Sequence, residues 1–210
     1  MNILTFDDRM FWLAARQGKI TGSKLKDIIV KRGTGRKIGS YALLAELLGV
    51  PDDSEFPMER GQRLEKEALE RYEQETGKKI DTSLLMWVRS DNPQIALSPD
   101  GVISETEACE VKCLKSSLHI KAFVEQEIPD EYHEQVLQYF VVNDKLETLH
   151  FILYDPRFAM FPGESKKKTD LDFFVIDIHR KDVVADVEAA LMYQTKELEW
   201  AKEWVKKLTF

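Results

Sequence analysis

Cysteine is nearly absent: Cys109 and Cys113 are the only two in 210 residues. A zinc site or an iron–sulfur cluster takes about four suitable ligands, so one C-x3-C pair argues against both. The pair reads as buried free thiols. Long apolar runs are missing too, and nothing approaches the ~20 residues of a membrane-spanning helix. The N-terminus, MNILTFDDRM, lacks the basic-then-apolar order of a signal peptide. The expectation is a cytoplasmic protein with no membrane association. The glycine-punctuated basic loop RGTGRK, Arg32 to Lys37, lacks the lysine-serine/threonine ending of a phosphate loop. No internal repeat or low-complexity tract occurs, and the length suits one domain with one sizeable core.

Positive charge is scarce overall, with a net charge of −7. Its distribution is uneven. Residues 1–40 hold nine Lys/Arg against three Asp/Glu, and the remainder carries a net −13. A basic segment joined to an acidic body can hold a polyanion on one surface. The plainer alternative is a solvated basic helix pair.

Thr5 with Asp8 resembles a capping box, which predicts a helix over Phe6–Arg16. A second short helix opens near Thr21 or Ser23 and ends near Gly33. Tyr41–Leu48 reads as an apolar helix and Gly49–Pro57 as a linker. Met58–Glu75 reads as a helix whose Met58, Gly61, Leu64, Ala68, Leu69 and Tyr72 share one sector at about 100° per residue. Glu65 falls inside that sector, mid-helix, where a carboxylate is costly unless paired or metal-bound. Glu75 does too, but in the last turn.

Beyond Gly77 the pattern turns to strands: SLLMWVRS, then QIALSPDGVI paired with EACEVKCL around Ser104–Thr106, then TLHFILYD and LDFFVIDI. EYHEQVLQYFVVN is a mostly buried helix, and Asp182–Leu208 is a long amphipathic one. The order suggests a mixed sheet flanked by helices, an α/β (α+β) class.

The paired strands carry the chemistry. Residues two apart on a strand share a face, so Glu110 and Lys112 point one way while Cys109, Val111 and Cys113 point into the core. A turn near Glu105 sets Asp100 across from Glu110, and Pro99 marks a bulge or the end of pairing. Two carboxylates this close repel unless a cation sits between them. Such hard oxygen ligands suit Mg²⁺ or Mn²⁺, and the Val111 carbonyl can add a neutral ligand. Lys112 beside a metal-bound water would stabilise hydroxide or developing phosphorane-like charge, the chemistry of phosphodiester hydrolysis. The alternative is a solvated hairpin with a cross-strand ion pair.

With these residues in place, SPDG…EVK resembles the active-site hairpin of PD-(D/E)xK nucleases, in the branch of phage lambda exonuclease and the YqaJ-type viral recombinases. Trp12–Ser23 resembles the branch's W-x3-R-x-G-x-I-T-x-S pattern. ERGQRLE, Glu59–Glu65, is similar to its helix ending in an acidic residue, EQVLQY to its glutamine-bearing helix, and YDPR, Tyr154–Arg157, to a strand end. The resemblance implies a restriction-endonuclease-like core in a single nuclease domain over 1–210. That domain would carry an N-terminal helical DNA-binding segment at 1–50 and a C-terminal helix at 182–208.

The resemblance also implies residue roles. Asp100, Glu110 and the Val111 carbonyl bind metal, Glu65 serves a second metal or its waters, and Lys112 positions or activates water. A helix glutamine completes the site. The family shows Q-V-Q where this chain has Gln135-Val136-Leu137-Gln138, so both Gln135 and Gln138 are candidates, with Gln138 preferred. Arg16 and Ser23, with Thr21, Trp12 and Arg32 nearby, resemble residues holding DNA and its terminal 5′-phosphate.

The implied activity is a Mg²⁺-dependent exodeoxyribonuclease (Mn²⁺ also suits it). It digests one strand of duplex DNA from its end, 5′ to 3′ and processively, and leaves 3′ tails for recombination. The implied partners are double-stranded DNA ends, a homotrimeric ring of the chain, and a single-strand annealing protein. The implied setting is a bacterial cytoplasm, phage- or prophage-encoded. Two alternatives stay open: another PD-(D/E)xK endonuclease, or a non-catalytic DNA-end-binding scaffold.

Overall fold

The computed structural model describes residues 1–29, 40, 43, 59–114, 119, 122–123, 125–156 and 172–209, with side chains from Leu64 onward in the helix that begins at Glu59. The expected helix at Tyr41–Leu48, the linker at Gly49–Pro57, Arg32 and Arg157 lie outside the described residues or are described only at isolated positions.

The chain opens with strand β1 (Asn2–Thr5), followed by helices α1 (Arg9–Ala15) and α2 (Gly22–Ile28). The capping-box reading therefore needs correction. Thr5 closes a strand, and Asp8 caps the helix by accepting from Met10 N–H at 2.6 Å. Four exposed residues, NILT, carry no alternation that marks them as a strand; only their pairing with β2 (Leu85–Val88) does. The expected opening of the second helix is resolved at Thr21, which is its N-cap residue.

Helix α3 (Glu59–Thr76) lies close to its expected bounds and buries Leu64, Ala68, Leu69 and Tyr72. The segment QIALSPDGVI is not one strand but two. Strand β3 (Ala96–Leu97) pairs with β2, while β4 (Gly101–Val102) pairs with β5 (Glu107–Lys112). Ser98-Pro99-Asp100 is the crossing between the two ladders, where a proline without an N–H costs no sheet hydrogen bond. Helix α4 (His133–Val142), strands β6 (Thr148–Tyr154) and β7 (Phe173–His179), and helix α5 (Val184–Leu208) complete the described chain. Helix α5 begins two residues later than expected, because Arg180–Asp182 forms a 3₁₀ turn.

Two sheets result. One is antiparallel, β1-β2-β3; the other is mixed, β4-β5-β6-β7, with β5 and β6 parallel. The parallel pair is buried on both faces: β6 (TLHFILY) has the near-continuous apolar sequence this requires, whereas β5 (EACEVK) buries Glu110 among its apolar residues. On one face Cys109, Val111, Ile152 and Phe173 pack against Ala68, Leu69 and Tyr72 of α3. On the other, Ala108, Leu149 and Phe151 join Val136, Tyr139 and Phe140 of α4, and Val187, Ala190, Leu198 and Ala201 of α5 close the same core. The expected mixed sheet between helical layers is thus present. Among the described residues no helix is long and apolar enough to cross a membrane.

Helix α2 packs on α4 at a point that sets the site. A Cβ at Gly22 would lie 2.9 Å from Gln135 Cγ, so only glycine permits the approach. A bridge between Ile20 and Ile95 joins the chain before α2 to the approach to β3. The site is built where these elements meet the C-terminal half of β5.

Candidate active site

The register Gly101↔Cys109 sets Asp100 opposite Glu110. Asp100 Oδ2 accepts the Val111 N–H at 2.8 Å, so the crossing segment is tied to β5 through the carboxylate itself. Glu110 is fully buried on the α4 face of β5. Its Oε1 accepts from Lys112 Nζ and from Gln135 Nε2, and its Oε2 lies 2.5 Å from the Tyr139 hydroxyl. That hydroxyl also lies 3.1 Å from the Cys109 carbonyl and accepts from Asp100 N–H at 3.3 Å. One tyrosine therefore touches both carboxylate-bearing segments. Lys112 Nζ sits 5.2 Å from the centre of the Tyr132 ring, which helps accommodate its charge.

Asp100, Glu110, Val111 and Lys112 line a cavity of about 210 Å³ together with Glu65, Arg9, Trp12, Arg16, Ser23, Ser98 and Gln135. Glu65 reaches it from α3, and this explains a carboxylate on an otherwise apolar helix face. Burial, and then the charge of Glu110, raises the Glu65 pKa. The same two causes raise Asp100 well above the ordinary carboxylate value, against the opposing pull of Lys112 and the Val111 N–H. Burial opposes the charge on Lys112, but Glu110 and Asp100 outweigh it and its pKa is raised. Arg16 is lowered by burial, partly offset by Asp100 and Glu110. Its guanidinium lies 4.5 Å from the centre of the Trp12 ring, with Arg9 on the same ring at 5.3 Å.

The glutamine preference needs correction. Gln138 faces away from the carboxylates and donates to the carbonyls of Ile20 at 2.8 Å and Ala96 at 3.2 Å. It braces the bridge beneath the site. Gln135, pressed against Gly22, is the glutamine on Glu110. Thr21 is buried, and its hydroxyl lies 3.4 Å from that of the exposed Ser23, which faces the cavity. The sequence reading missed Tyr139, Arg9 and Ser98, whose buried hydroxyl has no hydrogen-bond partner among the described residues. Tyr139 and Arg9 had a signal: Tyr139 is four residues after Gln135, and Arg9 three before Trp12, so each shares a helix face with a candidate.

Among the described residues no three His, Cys, Asp or Glu side chains form a group that could hold a metal ion as they stand. Glu110 has both oxygens engaged, and Lys112 supplies its counter-charge. The donor set nonetheless fits a hard divalent cation. Asp100 and Glu65 are destabilised as anions by burial and by Glu110, and a cation among them relieves that repulsion.

A mixed sheet between helical layers, with aspartate at a strand crossing and Glu-x-Lys on the neighbouring strand, defines the PD-(D/E)xK nuclease fold. Residues 11–146 match the YqaJ-like viral recombinase domain, well over half of the chain, and the chain belongs to that family. It is similar to the alkaline exonuclease LHK-Exo from Laribacter hongkongensis, with 26% identity, a TM-score of 0.76, and coverage of 94% of this chain and 96% of that one. The structure of LHK-Exo in complex with dAMP gives 27% identity and a TM-score of 0.75 at the same coverage. A phage related exonuclease from Haemophilus somnus 129PT shares the fold at 14% identity and a TM-score of 0.55, covering 89% of this chain and 96% of that one. No curated protein sequence matches the chain.

Proposed function

We propose that the protein is a divalent-metal-dependent exodeoxyribonuclease that digests one strand of linear duplex DNA 5′ to 3′ and leaves 3′ tails for strand annealing. The carrying observation is the juxtaposition of Asp100 and Glu110–Lys112 across one strand pair on a shared cavity. Kinship with the alkaline exonuclease LHK-Exo supports an exonuclease within recombination. The dAMP of that relative is a deoxynucleoside monophosphate, the kind of product such an enzyme releases.

Asp100, Glu110 and the Val111 carbonyl would hold Mg²⁺ or Mn²⁺, with Glu65 serving a second ion or its waters. The metal, when bound, polarises a phosphate oxygen and acidifies a water. The chain's own residues do the rest. Tyr139 and Gln135 fix the Glu110 carboxylate from the core side. Lys112, kept protonated by its neighbours, offsets negative charge building on the phosphate. Arg16, stacked on Trp12, and Ser23 would hold the 5′-phosphate of the strand end. Residues 1–50 would serve as the DNA-holding segment of a single 1–210 nuclease domain whose C-terminal helix is α5. A homotrimeric ring with a basic lining would let an acidic chain act processively on DNA, and a single-strand annealing protein would receive the tails.

The test is incubation with linear and circular duplexes, each with Mg²⁺ and with chelator. The expected result is metal-dependent release of mononucleotides from linear duplex only. Cleavage of the circle would make the protein an endonuclease, and inertness toward both with Mg²⁺ and Mn²⁺ would leave only DNA-end binding.

A further inference from the structure

Helix α1 brings to the active-site cavity a cation that the proposed chemistry leaves without a role. Arg9, Trp12 and Arg16 are three and four residues apart in turn, so they share one helix face. Both guanidinium groups lie on the Trp12 ring, Arg9 at 5.3 Å from its centre and Arg16 at 4.5 Å. A planar guanidinium stacked on a ring has its charge fixed in place. The two arginines differ in what they face. Arg16 lines the 210 Å³ cavity together with Ser23. Arg9 lines that cavity and also an adjoining one of about 330 Å³. Glu65 and Asp100 line both cavities too, so Arg9 stands on a border shared with two of the carboxylates. Burial and Glu110 raise the Glu65 pKa while Lys112 and Arg9 pull it down, so the field of Arg9 reaches this border. A guanidinium carries five donors, and a single protein partner does not exhaust them.

We propose that Arg9 holds the phosphate of the bond to be cut from the α1 side, while Lys112 meets it from β5. The inference rests on the exonuclease reading and deepens it. With the terminal phosphate at Arg16 and Ser23, the next phosphate of the strand falls at Asp100 and Glu65, on the border where Arg9 stands. Trp12 then carries one cation for each of two successive phosphates. Arg9 forms no covalent bond and moves no proton. Its charge offsets the negative charge that grows on the phosphate as the water oxygen bonds to phosphorus and the bond to the 3′ oxygen breaks, that oxygen taking a proton from the water.

The test is a cycle between the arginine and the phosphate. The probes are linear 5′-phosphorylated duplexes, one natural, one with a neutral methylphosphonate at the first linkage of the digested strand, and one with it at the fourth. Binding to the full-length protein is measured by fluorescence anisotropy with Ca²⁺ in place of Mg²⁺. The parent protein is expected to lose affinity when the first linkage is neutral. In Arg9→Gln that penalty should shrink at least about fivefold, a coupling of about 1 kcal/mol, with the fourth-linkage penalty unchanged. Arg16→Gln and Arg9→Lys should keep the first-linkage penalty, the lysine because it retains the charge. With Mg²⁺, Arg9→Gln should digest 5′-phosphate and 5′-hydroxyl duplexes more slowly by the same factor, about tenfold or more. A first-linkage penalty as large in Arg9→Gln as in the parent overturns the assignment, as does a change in the rate ratio between the two end groups, which would move Arg9 to the end pocket. A misfolded Arg9→Gln leaves Arg9→Ala to complete the same cycle. Digestion by the parent protein is scored separately: turnover without coupling removes the Arg9 contact alone, whereas absence of turnover removes the exonuclease reading.

Discussion

The Tyr139 hydroxyl lies 2.5 Å from Glu110 Oε2 while accepting the Asp100 backbone N–H at 3.3 Å. A helix side chain thus spaces the two carboxylate-bearing segments, the crossing at Asp100 and strand β5, from below. Burial, then the charges of Glu110 and Asp100, raises the Tyr139 pKa well above its ordinary value, so the hydroxyl stays protonated as a donor at every working pH. Tyr139→Phe keeps the ring and its edge contact with Trp87 but removes the hydroxyl. The expected outcome is a stability loss of about 1–3 kcal/mol for a buried acceptor left short, with turnover reduced roughly tenfold or more. Unfolding curves and initial rates check both. Parental turnover would mean that Glu110 is held well enough by Gln135 and Lys112.

Asp100 carries a pH prediction. In the metal-free protein burial and Glu110 raise its pKa well above the ordinary value. The unfolded chain therefore ionises this group at lower pH than the folded chain. Stability from this group is present below the ordinary carboxylate value, falls as pH rises toward the folded value, and stays reduced above both. Asp100→Asn removes the penalty while an amide oxygen can still accept the Val111 N–H. With chelator at pH 7.5 its Tm should exceed that of the parent, and the gain should shrink on acidification. Turnover with metal should fall by a hundredfold or more, about 3 kcal/mol. A lower Tm for the variant at pH 7.5 would contradict the electrostatic account.

Lys112 is the counter-charge of Glu110 in the structure, so its two roles separate by condition. Lys112→Ala leaves a buried carboxylate without its cation, and in chelator its Tm should drop. Added Mg²⁺ should restore much of that loss, because the metal supplies positive charge at the same carboxylates. Cleavage should remain slow, and Lys112→Arg should not recover it, since a planar fork cannot replace a point charge. Full activity in the arginine variant would remove Lys112 from the chemistry.

Local patterns announced much of this architecture. The alternation of EACEVK sent Glu110 and Lys112 to one face and Cys109 to the core, where burial pushes its thiol up to about 12. The helical wheel placed Glu65 on the buried side of α3. What stayed illegible depends on partners distant in sequence. Gln135 and Gln138 lie about 60° apart on the helix, and only the approach of Gly22 and the Ile20–Ile95 bridge decide which one meets Glu110. The split of one apparent strand at Pro99 follows from two sheets competing for its ends.

That assignment is itself testable. Gln135→Ala should lower turnover several-fold with little change in Tm. Gln138→Ala takes a donor from the Ala96 carbonyl and leaves the Ile20 carbonyl only the Ala96 N–H at 3.2 Å, and should cost about 1–3 kcal/mol of stability, with turnover of the folded fraction near parental. The reverse pattern would restore Gln138 as the site glutamine.

The last prediction concerns the strand end. Arg16 is positioned rather than merely present: its guanidinium lies 4.5 Å from the Trp12 ring centre and faces the same cavity as Ser23. Ser23 is not spent on capping its helix, because Thr21 occupies that position and Ser23 stays exposed at the cavity wall. A guanidinium fork beside a hydroxyl suits a terminal phosphate, and holding that phosphate would fix the strand end relative to the carboxylates. Duplex carrying a 5′-phosphate should therefore be digested faster than 5′-hydroxyl duplex, by about tenfold for one charge-assisted contact worth about 1.5 kcal/mol. Arg16→Ala should erase most of that ratio, and Ser23→Ala part of it, while both still cleave. Rates are compared at several salt concentrations, because general backbone attraction weakens with salt whatever the end group. A salt-independent rate ratio in the parent, lost in Arg16→Ala, assigns the pocket. Equal rates on both ends at every salt concentration make Arg16 a general backbone contact instead.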